Sequence, residues 1–278
     1  NRKAPPAPVA GQKKQRSAGS MVDYGTPKTL DPTGKALTLG AWCISEKAGG
    51  VVMAHGGPFN GYALVVLKGK PTFMVRSGKQ LATATAKIKV TNKWIHLAGV
   101  LTKNKQMRLY VNGELAAEAK APGLIESVPV QGLQVGADDG SAVGDYTTPF
   151  PFKGVVDEVR VYHRALNEQE MTKLADWGNE PKDKSLVLYS GFEKGKAIDD
   201  SGNKHLGKLS GVNIVRAKTG QAIHFTGKST PGGGGPGVEH HWTQDIPILV
   251  RAMAKAGDTL FLIGPPDLVD EEETFARL

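Results

Sequence analysis

Carboxylates in two places are the residues of this 278-residue chain best suited to chemistry. The first place is the stretch ADDGSAVGDYTTPFPFKG, which sets Asp138, Asp139 and Asp145 among glycines. Carboxylates spaced this way could chelate a calcium ion, which accepts oxygen ligands in flexible geometry and can bridge to sugar hydroxyls. Asp and Gly are also what a tight loop needs for backbone reasons alone, so solvated turn residues are the alternative. Tyr146, Phe150 and Phe152 in the same loop could stack on a sugar ring, or pack beneath the loop.

The second place is VVDEVRVYHRALNEQEM, residues 155–171. Strand alternation puts Asp157 on one side with Val155, Val159 and Val161, and an unpaired buried charge is costly enough to demand a partner. An arginine or lysine on a neighbouring strand would serve, as would exposure on an outer face. His240 and His241, with Asp245, are poor metal ligands, because adjacent strand residues point to opposite faces. The acidic run 270–273 reads as a solvated face, and the glycines at 232–235 lack the Lys-Ser/Thr of a phosphate loop. Glycosidases of sandwich type need two carboxylates flanking the bond, commonly as Glu-x-Asp-x-x-Glu, and that motif is absent. Gly-x-Ser-x-Gly and His-Glu-x-x-His are absent too, so no enzyme is expected.

Strands must position these groups. With 35 Gly, 17 Pro and 22% charged residues, the composition favours a turn-rich β protein. From residue 37 onward apolar runs recur at short intervals. KWIHLAGVLTKNKQMRLYVNGELAAEAK (93–120) predicts a three-stranded meander whose Asn112-Gly113 supplies the positive φ angles of a type I′ turn. Within it Trp94 and His96 share a face with Ala98 and Val100, the pattern of a core tryptophan with a hydrogen-bonded histidine. A strand at 132–136 leads into the acidic loop. A short helix over 167–177 follows the Asp157 strand, with Asn167 as N-cap, Glu170 three residues on, Leu166 and Met171 as a staple, and Gly178 as the stop. Many antiparallel strands with one helix at the exit make a β-sandwich.

Net charge is +8, yet the positives are dispersed except in a basic, Pro-rich segment at 1–19 that reads as linker. No recognition helix or basic stripe interleaved with aromatics points to nucleic acid. No apolar run is long enough to span a bilayer, so no direct membrane insertion is expected. The single cysteine, Cys43, excludes an intrachain disulfide framework and a Cys-based metal cluster. A start at NRKAPPAPVAG and a stop at FARL suggest a processed chain or a piece of a longer one.

KWIHLAGVLTKNKQMRLYVNGELAA followed by GVVDEVRVYHRALNEQEM resembles the laminin G-like, or concanavalin A-like, jelly-roll module over residues 20–178. LVLYSGFEKGKAIDDSGNKHLGKLSGVNIVRAKTGQAIHFTGK (186–228) resembles the opening strands of the same module. The 179–228 segment either begins a second module or folds back to complete the first, and an isolated set of opening strands could not bury its faces. After a Gly-rich tether at 229–237, residues 238–278 have two strand-like runs and resemble the blade start of quinoprotein-like β-propellers. Loops such as GADDGSAVGDY also occur in modules appended to large planctomycete-type secreted proteins.

The resemblance implies an all-β, concanavalin A-like jelly-roll sandwich with one short helix and additional C-terminal strands. In calcium-containing relatives the aspartate matching Asp157 helps hold a structural ion with backbone carbonyls, so calcium is the implied cofactor. The implied role is a non-catalytic binding or docking module of a larger secreted or envelope bacterial protein, acting on the extracellular, periplasmic or cell-envelope side. Its partner would be a glycan or a protein surface. Alternatives are a structural assembly domain that joins other domains or subunits, or an accessory domain of an enzyme whose catalytic part lies outside this chain.

Overall fold

A computed structural model of the chain describes residues 17–90, 92–177, 182–230, 250–257 and 259–265. The linker up to residue 16, Gly178, the glycines at 232–235, His240, His241, Asp245 and the acidic run at 270–273 lie outside the described residues. The chain divides into two compact units, Asn1–Gly233 and Gly234–Leu278.

In chain order the strands of the first unit begin β1 (Ser17–Ala18), β2 (Met21–Asp23), β3 (Leu37–Ser45), β4 (Gly49–Gly56), β5 (Gly61–Leu67) and β6 (Lys70–Ser77). There follow β7 (Gln80–Thr85), β8 (Ile95–Leu101), β9 (Gln106–Val111), β10 (Glu114–Lys120), β11 (Leu133–Val135) and β12 (Lys153–Tyr162). After the helix α1 (Glu168–Leu174) come β13 (Leu186–Ser190), β14 (Ala197–Ile198), β15 (Leu206–Ser210), β16 (Asn213–Arg216), β17 (Gln221–Thr226) and β18 (Ser229–Thr230). One sheet runs β14-β15-β2-β11-β4-β5-β6-β7; the other runs β10-β9-β8-β3-β12-β17-β16, with β13 also on β12. Between them lies one core that includes Leu39, Cys43, Leu64, Phe73, Leu97 and Leu109. The expected all-β jelly-roll sandwich is what these strands form.

Local chemistry sets the meander and the helix. Asn112 and Gly113 have φ of 52° and 82°, as the turn requires, and Asn112 Oδ1 also accepts the His96 backbone N–H at 2.9 Å. Asn167 caps α1: its side chain accepts the Glu170 N–H at 3.0 Å, while Glu170 Oε2 accepts the Asn167 N–H at 2.9 Å. The helix stops at Leu174, short of the expected 177, where its buried positions Met171 and Leu174 end. These two pack with Leu166 on Ala98, Val100, Tyr110 and Tyr162, on the outer face of the sheet. Trp94 and His96 therefore share a face with Ala98 and Val100 under α1, outside the sandwich core. His96 is fully buried, but neither ring nitrogen has a hydrogen-bond partner, contrary to the expectation of a satisfied histidine.

Strands from residues 186–226 belong to these same two sheets. β15 pairs with β2, and β17 pairs with β12, in register Lys153 with Thr226. Leu188, Phe192, Ile223 and Phe225 enter the common core. Gly136, at φ 85°, lets the backbone approach Phe225 so closely that a Cβ there would sit 2.2 Å from the ring. Residues 17–19 are not linker: β1 pairs with β18, and the Gly19 N–H donates to the Lys228 carbonyl at 2.9 Å.

In the second unit β19 (Ala252–Ala256) and β20 (Thr259–Ile263) form an antiparallel hairpin, as the two strand-like runs suggested.

Candidate functional site

Three segments distant in sequence meet at one rim of the sandwich. The turn Gly57–Asn60 joins β4 to β5 and closes with the Gly57 N–H donating to the Asn60 carbonyl at 3.0 Å. Asn60 then pins the segment before β11: its Nδ2 donates to Ser127 Oγ at 2.9 Å, and its Oδ1 accepts the Glu126 N–H at 3.2 Å. Gln131, with its amide oriented to satisfy both ends, donates to the carbonyls of Gly56 at 2.7 Å and Ser141 at 2.8 Å. That ties the acidic loop to the same place.

Between these segments is a groove of about 340 Å³. Pro58, Phe59, Val128, Pro129 and Val130 form apolar walls, and Asn60, Ser127, Gln131 and Ser141 supply polar edges. Phe59 is 58% exposed, Val128 59% and Val130 95%. Burying a side chain of this kind contributes about 1.5–3 kcal/mol, so the groove holds unused binding energy. Mostly apolar walls with a few fixed polar groups are the usual composition of a ligand site. The Lys79 ammonium lies 5.7 Å from the Phe59 ring centre. Among the described residues, no carboxylate and no histidine lines the groove.

Sequence reasoning missed Phe59, Val128 and Val130. The available signal was apolar residues beside prolines in turn-like stretches, GGPFNG and SVPVQ, where packing gives them no reason to be.

The loop aspartates each find a separate partner. Asp138 is buried, and its Oδ2 accepts from the Val143 N–H at 3.0 Å and the Tyr146 hydroxyl at 2.6 Å. Burial pushes its carboxyl up to about 6. Asp139 Oδ1 accepts the Ala18 N–H at 3.1 Å, and the exposed Asp145 meets Arg76 at 3.1 Å. Tyr146 stacks on Phe150 with centroids 5.0 Å apart, and both pack on Val51, Ala54, Ala63, Val65 and Met74. Phe152 is wholly within the core. The loop is thus laid down on the outer face of β4–β6, and its contribution to the groove is Ser141.

Asp157 does not share a face with Val159 and Val161. A β-bulge shifts the β12–β3 register between Asp157, opposite Trp42, and Arg160, opposite Gly40, with Glu158 at φ 55°. The extra residue changes the parity, so Val156, Val159 and Val161 face the core while Asp157 lies on the outer side with Trp42. It is nonetheless 1% exposed. Its Oδ1 accepts the Glu158 N–H at 2.8 Å, and its Oδ2 has no hydrogen-bond partner. Burial first, then the Glu158 carboxylate, push its carboxyl up to about 8. Arg160, on the same strand, pairs with Glu158, which also accepts the Tyr189 hydroxyl at 3.1 Å. What Asp157 offers a ligand is one free carboxylate oxygen beside a Glu158 already engaged by Arg160 and Tyr189. Among the described residues, no group of three or more His, Cys, Asp or Glu could hold a metal.

Comparison with known proteins places the fold. The profile of the family described as the Concanavalin A-like lectin/glucanases superfamily matches residues 17–172. The native heptameric SAP-like pentraxin of Limulus polyphemus superposes with a TM-score of 0.51 at 13% identity, covering 79% of this chain and 93% of that one. The CBM40 module of the Ruminococcus gnavus IT-sialidase, bound to alpha2,3 sialyllactose, gives a TM-score of 0.45 at 16% identity, over 58% and 97%. Domains LG4-5 of the mouse laminin alpha1 chain give 0.44 at 14%, over 60% of this chain and 46% of that fragment. No curated protein matches the sequence. Nothing in these comparisons bears on the propeller-like or planctomycete-type resemblances.

Proposed function

The chain belongs to the concanavalin A-like lectin/glucanases superfamily, and within it we propose that this module binds a glycan and does not cleave one. The observation that carries this reading is the rim groove, where the exposed ring of Phe59 stands beside Val128 and Val130 above polar edges from Asn60, Ser127 and Ser141. An aromatic face suits the apolar side of a sugar ring, and Ser127 Oγ, which accepts from Asn60, keeps its own proton for a ligand hydroxyl. Hydrolysis would need two carboxyl groups about 5–9.5 Å apart across the bond, and among the described residues the groove lining has none.

Glycan in the extracellular, periplasmic or cell-envelope space is the partner that goes with this site. Among the described residues no helix is long and apolar enough to cross a membrane.

The test is affinity electrophoresis of the chain against a polysaccharide panel, in calcium and again in chelator. One glycan class should retard the protein equally in both, and Phe59→Ala should weaken that binding about tenfold, the loss of roughly 1.4 kcal/mol. Failure of every glycan to retard the wild type would overturn the reading in favour of a docking domain for a protein surface. Retardation that chelator abolishes would replace the metal-free groove with a calcium-dependent site.

A further inference from the structure

Three of the four tryptophans meet on the outer face of the sheet opposite the one that carries the groove turn. Trp42, on β3, is flanked across the ladder by His96 on β8 and Asp157 on β12. Trp177, just beyond α1, stacks on Trp42 with centroids 4.7 Å apart and planes at 30°. Trp94, just before β8, meets Trp177 edge-on at 5.6 Å and 88°. All three are only partly buried. The exposed Lys218, in the turn between β16 and β17, holds its ammonium 5.9 Å from the Trp42 ring centre and 5.5 Å from that of Trp177.

Packing alone does not account for this arrangement. Met171 and Leu174 already close the underside of α1, and both are fully covered. Tryptophans that served only to extend that cluster would be covered as well. Instead all three stay partly exposed, with the exposed Lys218 over two of the rings. His96 sits beneath Trp42, edge-on at 5.5 Å, fully buried and without a hydrogen-bond partner on either nitrogen. Burial keeps its ring neutral, pushing it down to about 3. The cation that meets the rings is Lys218.

We propose that Trp42, Trp94, Trp177 and Lys218 form a second ligand site, distinct from the groove, for an anionic sugar: a ring carrying a carboxylate or a sulfate. The ring stacks on the indoles in place of the lysine ammonium, and Lys218 exchanges its cation–π contact for an ion pair with the sugar's acidic group. An ammonium on a four-carbon stem can make that exchange with no backbone movement. The net charge of +8 favours encounter with such a ligand.

The test is tryptophan fluorescence at fixed ionic strength, in a Trp242→Phe background that removes the fourth indole. The probes are trigalacturonate, a sulfated disaccharide and neutral cellotriose. A saturable change is expected with an acidic probe. Lys218→Ala should weaken it at least fivefold, whereas Lys89→Ala, an equal change of charge elsewhere, should leave it unmoved. Trigalacturonate as the better probe assigns a uronate, and the sulfated sugar as the better probe assigns a sulfate. Phe59→Ala should leave this titration intact, so the groove reading and this one fail separately. Lys218 is exposed, which keeps the variant folded, and Trp177→Phe tests the platform without emptying it. No saturable change with either acidic probe would overturn the proposal. So would equal weakening by Lys218→Ala and Lys89→Ala, which would reveal diffuse attraction of a basic protein.

Discussion

Asp157 is a carboxyl that the fold holds neutral. Its folded value, about 8, lies far above that of an unfolded aspartate, because burial and then Glu158 disfavour the charge, with Glu193 adding to the effect and Arg160 opposing it. For a raised carboxyl, the folded state holds its proton where the unfolded state has lost it. The contribution to stability is therefore full below about pH 4 and is lost as pH rises toward 8, at about 1.4 kcal/mol per unit of displacement. Asp157→Asn keeps the acceptor for the Glu158 N–H and cannot ionise. It should be more stable than wild type by at least about 1 kcal/mol at pH 8, with the gap closing toward pH 4. The buried histidines His55 and His96 act in the opposite direction, losing stability as pH falls, but they are common to both proteins and cancel in the difference. Denaturant melts of the pair at several pH values measure it, and a gap that does not change with pH would show that Asp157 is ionised in the fold. The sequence made the oddity of this residue visible, a carboxylate in a valine-rich strand. It did not show the side it faces, because one left-handed residue at Glu158 reverses the alternation on which that reading depended.

At the scale of elements, what was legible was what neighbours in sequence decide. Asn112-Gly113 specifies its own turn, and Asn167 with Glu170 specifies its own helix start. The helix also shows how a local signal is tied into the fold: Arg164 donates to both oxygens of Glu170, at 2.8 and 2.7 Å, and to Asp183 at 2.6 Å. Removing the cap with Asn167→Ala should cost about 1 kcal/mol and lower Tm by about 2–4 °C, whereas Asn167→Gly should cost only a few tenths. Equal losses from the two substitutions, measured by thermal melting, would mean that the Arg164 pairs rather than the cap set the start of α1. The groove was illegible for the opposite reason. It exists because Asn60 holds Ser127 and Glu126 while Gln131 holds Gly56, and no window of sequence contains those pairs. The loop aspartates were visible as ligands by composition, yet Asp138, Asp139 and Asp145 are spent on Tyr146, Ala18 and Arg76.

For the molecule as a whole, the deciding question is what the residues after α1 do for the sandwich. β17 supplies a neighbour to β12, and β15 supplies one to β2, which would otherwise end its sheet with open backbone groups. Phe225 and Ile223 add fully buried side chains to the core. Both sheets therefore depend on partners that sequence pattern alone could place in either of two modules, since strand register across some two hundred residues leaves no local trace. A chain stopped at residue 230 keeps every strand of both sheets and should melt in one cooperative step, close to the temperature of the first unit in the longer chain. A chain stopped at 185 loses β13 through β18 and should show no cooperative transition. Phe225→Ala is the graded version: it empties a site against Gly136 and should cost about 3–5 kcal/mol, within the range for a buried aromatic. Calorimetry of the three proteins separates the possibilities. If the 185-residue chain melted cooperatively near the others, β13 to β18 would be an accessory layer on a sandwich complete without them, and the loss at Phe225 would have to be small.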